Sequence, residues 1–183
     1  MALKATIFKA ELQIADMDRH YYATHALTIA RHPSETDERM MVRVLAFGLF
    51  AAEDLSFTRG ISDTDEPDLW RKDLTGAIEQ WIEIGQPDER RLLKAAGKAR
   101  EVVVLCFGDH GARLWWEGVA KPLERVKNLK VINLPAAASQ ALARLAQRTM
   151  TLQCTVQEGQ VWLGDGAASV EVPLTTWRDF AGR

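Results

Sequence analysis

Alternation of apolar and polar positions opens the chain, with Leu3, Ala5 and Ile7 set against Lys4 and Thr6. It predicts two strands, Ala5 to Ala15 and Tyr21 to Arg31, joined as an N-terminal hairpin by the acidic turn Asp16-Met17-Asp18. Ser34 and Asp37 then stand at capping-box spacing, and a helix apolar on most sides, hence buried, continues through Met40, Val44, Phe47 and Phe50 to about Glu53. A short strand, Leu55 to Thr58, precedes an acidic, breaker-rich loop, Gly60 to Pro67. Two strands follow, Asp68 to Asp73 and Ala77 to Ile84, closed by Leu74-Thr75-Gly76, and Pro87-Asp88 starts a helix to about Ala99. Glu101 to Phe107 is an almost continuous apolar run, the mark of a strand buried on both faces. Beyond it the pattern predicts a helix from Gly111 to Asn128, a strand from Leu129 to Leu134 and an alanine-rich helix from Ala136 to Arg148. A meander closes the chain: Thr149 to Gln157, Gln160 to Leu163 and Ser169 to Leu174, with turns at Glu158-Gly159 and Gly164-Asp165-Gly166. Alternating strands and helices define the α/β class. The expected architecture is one central mixed sheet flanked by helices, with the terminal strands as additions, over a single domain spanning residues 1–183.

Composition narrows the class further. A content of 47% hydrophobic and 26% charged residues excludes disordered and collagen-like chains. The longest apolar stretch, Val42 to Ala52, falls short of the ~20 residues a membrane-spanning helix needs, and no apolar leader follows Met1. Cys106 and Cys154 sit inside strand patterns without pairing or metal spacing, so the expectation is two reduced core thiols and a cytoplasmic protein. A net charge of −2 gives no bulk attraction to nucleic acid, and such binding would need a local basic patch.

Candidate chemistry gathers between Glu66 and Lys98. A hairpin turning at Thr75-Gly76 sets Asp68 directly opposite Glu83, with Cβ atoms about 5 Å apart. Two carboxylates that close call for a proton or a divalent cation between them. Asp73 pairs near Ala77 by the same reasoning, roughly 20 Å along the ladder and too far to share a metal. Glu83 alternates with Ile82 and Ile84 and shares its face with Trp81 and Gly85, which predicts a half-buried carboxylate in need of a partner. Glu38 falls on a helical stripe with Met41, Val42, Leu45 and Leu49; it fits either a supporting acid or a favourable first-turn dipole contact. Arg91, Lys94 and Lys98 lie three and seven positions apart on one helix face, as a phosphate-binding group or as an ordinary solvated basic face. His110 in Gly108-Asp109-His110-Gly111 reads more simply as part of a turn, and Trp115-Trp116 as packing residues rather than base-stacking ones. Zinc spacing, a phosphate-cradling glycine loop and a nucleophile elbow are all missing.

The strings Met1-Ala2-Leu3-Lys4-Ala5-Thr6-Ile7, Arg31-His32-Pro33-Ser34-Glu35-Thr36, Trp81-Ile82-Glu83, Gly85, Pro87-Asp88-Glu89-Arg90-Arg91 and Arg148-Thr149-Met150-Thr151-Leu152-Gln153 resemble the YaeQ family over essentially the whole chain. The resemblance implies a variant of the PD-(D/E)XK nuclease superfamily, a restriction-endonuclease-like core running helix, three strands, helix, strand, with extra terminal hairpins. By that likeness Pro67-Asp68 is the PD element, and Glu83-Ile84-Gly85 stands where (D/E)XK belongs. Gly85 occupies the place of the superfamily lysine, which removes a group that positions the attacking water and stabilises developing charge.

The resulting expectation is Mg²⁺-dependent (or Mn²⁺-dependent) phosphodiester hydrolysis on a nucleic acid. Asp68 and Glu83 hold the metal, Glu38 supports the shell, Lys94 replaces the lysine, and Arg91, Lys98 and Gln86 contact phosphate, Gln86 needing a bulge to reach. The rival is a non-catalytic module that keeps the fold and binds nucleic acid or protein. A third reading is a structural carboxylate cluster neutralised by arginines.

Overall fold

The structure, a computed structural model, describes residues 4–182, so the alternation at Leu3 lies outside the described residues. In chain order the elements are β1 (Thr6–Asp16), β2 (Tyr21–Arg31), α1 (Asp37–Phe50), β3 (Leu55–Phe57), β4 (Leu69–Lys72), β5 (Ile78–Ile84), α2 (Glu89–Lys98) and β6 (Ala99–Phe107). They continue with α3 (His110–Ala120), β7 (Leu129–Leu134), α4 (Ala136–Ala143), β8 (Thr149–Gln157), β9 (Gln160–Gly164), β10 (Ser169–Glu171) and β11 (Thr175–Arg178). The chain folds as two compact units, one from the residues up to Ala51 with Ala137–Pro173, the other from Ala52–Ala136 and the residues from Leu174 on. The α/β class holds, but the strands divide between two mixed sheets instead of joining one.

In the first unit the strand order is β10-β9-β8-β1-β2. Period-two patterning turns Phe8, Ala10, Leu12 and Ile14 inward along β1. The β1–β2 hairpin keeps unbroken antiparallel register from Thr6↔Arg31 to Asp16↔Tyr21, while β8 lies parallel on the other side of β1. Thr36, not Ser34, caps α1, its hydroxyl accepting from the Arg39 N–H at 3.1 Å. Helix α1 packs so closely on β8 that a Cβ at Gly48 would stand 2.9 Å from Cys154 Sγ, so only glycine fits. Near its start Glu35 is buried with Arg43, whose Nη2 and Nε reach the two carboxylate oxygens at 2.5 and 2.9 Å, while Arg39 adds a bond at 2.6 Å. The opposed charges neutralise one another, as a buried carboxylate requires.

In the second unit the order is β11-β7-β6-β5-β4-β3, with β5, β6 and β7 parallel and the outer strands antiparallel. The chain order helix, three strands, helix, strand (α1, β3, β4, β5, α2, β6) divides between the units, α1 lying in the first and the rest in the second. One face of this sheet buries Trp81, Val102, Val104, Cys106 and Val131 in a core with Leu92 and Ala95 of α2. Helix α3 ends at Ala120, well before the expected Asn128: Lys121 keeps helical backbone (φ −63°, ψ −50°), but Pro122 has no N–H to donate and its ring crowds the carbonyl one turn back. The predicted Arg148 end of α4 likewise retreats to Ala143. No helix among the described residues is long and apolar enough to cross a membrane.

Candidate acidic site on the β4–β5 hairpin

Antiparallel pairing sets Leu69 opposite Ile82, Trp70 opposite Trp81 and Arg71 opposite Gln80. One step further the Asp68 N–H donates to the Ile82 carbonyl at 3.0 Å, so Asp68 stands across from Glu83 in the predicted register. Nearer the turn the register shifts by one between Arg71 and Lys72, so that Lys72 opposes Ile78, and Asp73 fixes the turn itself. Asp73 Oδ1 accepts from Thr75 Oγ1, Thr75 N–H and Ala77 N–H, bonds that hold its carboxyl below the usual range, and Gly76 takes the left-handed backbone the turn needs (φ 87°).

Both opposed acids are buried, Asp68 at 3% exposure and Glu83 at 4%. Asp68 Oδ2 accepts the Ile84 N–H at 2.8 Å, so the side chain extends the ladder where the β4 backbone has ended. Glu83 receives two donors on one oxygen: Trp81 Nε1 at 2.8 Å and Arg91 Nε at 2.7 Å both reach Oε1. Oε2 accepts no hydrogen bond among the described residues. Arg91 is placed by the start of α2, where Asp88 caps the helix through the Arg91 N–H at 2.8 Å. Its Nη1 and Nη2 go on to the carbonyls of Thr64 and Glu66 at 2.6 and 2.7 Å, tying the acidic loop to the helix. Burial and the charge of Asp68 push Glu83 up to about 7, outweighing the downward pull of Arg91 and Trp81.

The other candidates make contacts of their own. Glu38 belongs to the first unit, where its Oε1 accepts from Ser139 Oγ at 3.1 Å. Lys94 Nζ pairs with Asp65 at 2.9 Å on the exposed side of α2 and holds that carboxyl below its ordinary value. Lys98 Nζ lies 6.0 Å from the Trp81 ring centroid. Gln86 is exposed past the end of β5. Gly85 itself has φ 102°, and an added Cβ would meet nothing within 4 Å, so the backbone and not the space demands glycine there. Trp115 Nε1 donates to the Pro87 carbonyl at 2.7 Å, and Trp115 and Trp116 pack on the core; His110 begins α3 in an exposed position.

The structure therefore brings together Asp68, Glu83 and Arg91 from the sequence-derived set. Trp81, expected on the same face as Glu83 from its i, i+2 spacing, joins them as a hydrogen-bond donor, a role the spacing did not specify. Among the described residues no group of three or more His, Cys, Asp or Glu side chains gathers in metal-binding fashion. A pair of carboxylates still suits a hard cation that keeps most of its waters, as Mg²⁺ does with one or two carboxylate ligands.

Two mixed sheets, four helices and a buried acid pair clasped by an arginine define a mixed α/β protein. The chain belongs to the YaeQ family: the model of the YaeQ protein family matches residues 1–174. It is 46% identical to YaeQ of Salmonella typhi and 45% to YaeQ of Escherichia coli (strain K12), each over 178 residues that cover 97% of this chain and 98% of the relative. Among solved structures it is similar to the YaeQ protein of Xanthomonas axonopodis pv. citri (TM-score 0.91, 49% identity, 95% of this chain and 98% of that one). The YaeQ protein of Pseudomonas syringae is similar as well (TM-score 0.92, 37% identity, 97% and 98%).

Proposed function

We propose that Asp68 and Glu83 form a divalent-cation site in a restriction-endonuclease-like core, and that the protein acts on nucleic-acid phosphodiesters. One observation carries the reading: two carboxylates buried opposite one another on a single hairpin, with Glu83 Oε2 lacking a hydrogen bond. The hard oxygen donors suit Mg²⁺ or Mn²⁺. A bound ion of this kind would supply positive charge for a phosphate oxygen and an activated water. Arg91 orients Glu83 and offers a guanidinium to phosphate. Lys94, once freed from Asp65, is the candidate for the role that Gly85 cannot fill, with Gln86 just before the start of α2 and Lys98 at its end as further phosphate contacts. We keep the cytoplasm as the setting, on the two buried unpaired thiols, Cys106 and Cys154.

A second reading is favoured by Gly85 and by the Arg91 bonds to Glu83, Thr64 and Glu66: the fold binds nucleic acid or a protein without cleaving. Melting curves with and without Mn²⁺, at pH 6 and pH 8, for the native chain and Glu83→Gln, test the metal site. At a hundredfold excess over Kd the native chain gains about 2.7 kcal/mol, some 5–10 °C, at pH 8 and less at pH 6, because the ion must displace the Glu83 proton. Equal responses of the two proteins, or none, reject the site. Cleavage of labelled DNA or RNA with Mg²⁺, lost in Glu83→Gln, separates catalysis from salt-sensitive binding alone.

A further inference from the structure

We propose that β2 is a self-association edge, through which two copies of this chain pair antiparallel about a twofold axis and join their five-stranded sheets. Two sheets present four edges, and three are blunted. Strands β10 and β3 have three residues each, and β11 has four with a register shift between Thr176 and Arg178. The fourth edge, β2, is 11 residues long, contains neither proline nor glycine, and keeps unbroken register with β1. No strand among the described residues lies on its outer side. Its one Lys, Arg, Asp or Glu residue is Arg31, at the very end. Long regular edges without inward charge, bulge or proline are templates for another strand, and proteins that stay apart disable them.

The residue order of β2 says which strand fits. Turned about Ala26, the strand opposes Ala26 to Ala26, Thr24 to Thr28, Tyr22 to Ala30, Ala23 to Ile29 and His25 to Leu27, and sets Arg31 against Tyr21. Each opposition is favourable or neutral: threonines face threonines, small residues face large ones, and the terminal cation meets an aromatic ring instead of its own copy. A twofold interface requires such self-complementarity, and an arbitrary strand does not supply it. The outer row is open to solvent, with Tyr22 62% exposed and Thr24, Ala26, Thr28 and Ala30 exposed beside it. Near the end of the strand Arg43 Nη2 donates to the Ala30 carbonyl at 3.0 Å, so the pairing centres on Ala26 and thins toward Ala30.

Sedimentation equilibrium of the full chain from about 5 to about 200 µM tests the proposal, because association depends on concentration. The expected mass rises toward twice the 20.5 kDa of one chain. Ala26→Lys places two like charges face to face at the axis, yet within one chain it faces Glu11 on β1, so the monomer keeps its fold and its circular dichroism while the dimer weakens at least tenfold. Ala26→Cys fixes the register. Its thiols meet at directly opposed positions about 5 Å apart and oxidise to a linked dimer, whereas Thr28→Cys leaves its copies roughly 13 Å apart and unlinked. A monomer at every concentration overturns the proposal and leaves the edge to a strand from another protein. A dimer that survives Ala26→Lys, or a Thr28→Cys link as efficient as the Ala26→Cys one, overturns it too.

Discussion

Replacing Glu83 with glutamine tests whether burial or the arginine governs the acid pair. In the folded chain Glu83 titrates near 7 against an ordinary 4.5, because burial and Asp68 outweigh Arg91. The raised value means the folded protein holds a proton that the unfolded chain has already released. Its contribution to stability is therefore fully present below about 4.5 and disappears as pH climbs through about 7. A shift of that size is worth about 3 kcal/mol, and a side chain only 5% exposed calls for little discount from solvent screening. Glutamine keeps the shape and a carbonyl for Trp81 and Arg91 but does not titrate. Urea unfolding at pH 5, 6, 7 and 8 should show native stability minus Glu83→Gln stability falling by about 2.5 kcal/mol across the series. Parallel curves would refute the reasoning. An opposite slope, the native chain gaining on the variant as pH rises, would show that Arg91 sets the charge of Glu83 and would overturn the electrostatic account.

Further outcomes follow from the same contacts. Arg91→Ala should cost about 2–4 kcal/mol at pH 8, where Glu83 loses its cation, and clearly less at pH 5, where Glu83 carries a proton, as read from urea midpoints. Glu35→Ala strands Arg43 in the first unit and should lower stability by about 3–5 kcal/mol by the same measurement, the largest effect predicted here. Gly85→Lys supplies the lysine that the proposed nuclease reading calls for, yet φ 102° makes it strained by about 1–3 kcal/mol; a lower melting temperature without any gain in cleavage is expected.

Local pattern carried the hairpins and the register. β2 and β7 lie where alternation puts them, and Asp68 stands against Glu83 as expected, although a register shift between Arg71 and Lys72 separates that pair from the turn. Long-range partnering was hidden: nothing in the alternation of β1 says that β8, from the far end of the chain, lies parallel beside it, and this pairing is what divides the strands into two sheets. The role of Arg91 was hidden for another reason. Spacing groups Arg91, Lys94 and Lys98 on one helix face, but only packing turns the first onto a buried carboxylate and leaves the second on an exposed loop acid. Proline was legible and underused, since Pro122 alone marks the end of α3.

Arg91 also joins three stretches of chain that are distant in sequence: a strand acid, the first turn of a helix, and two carbonyls of the loop that leads into Asp68. Such a three-way tether turns a charge event into a mechanical one. When Glu83 takes up a proton, the guanidinium loses its counter-charge and rests on the Thr64 and Glu66 carbonyls, so the strand end of the tether weakens while the loop end stays fastened.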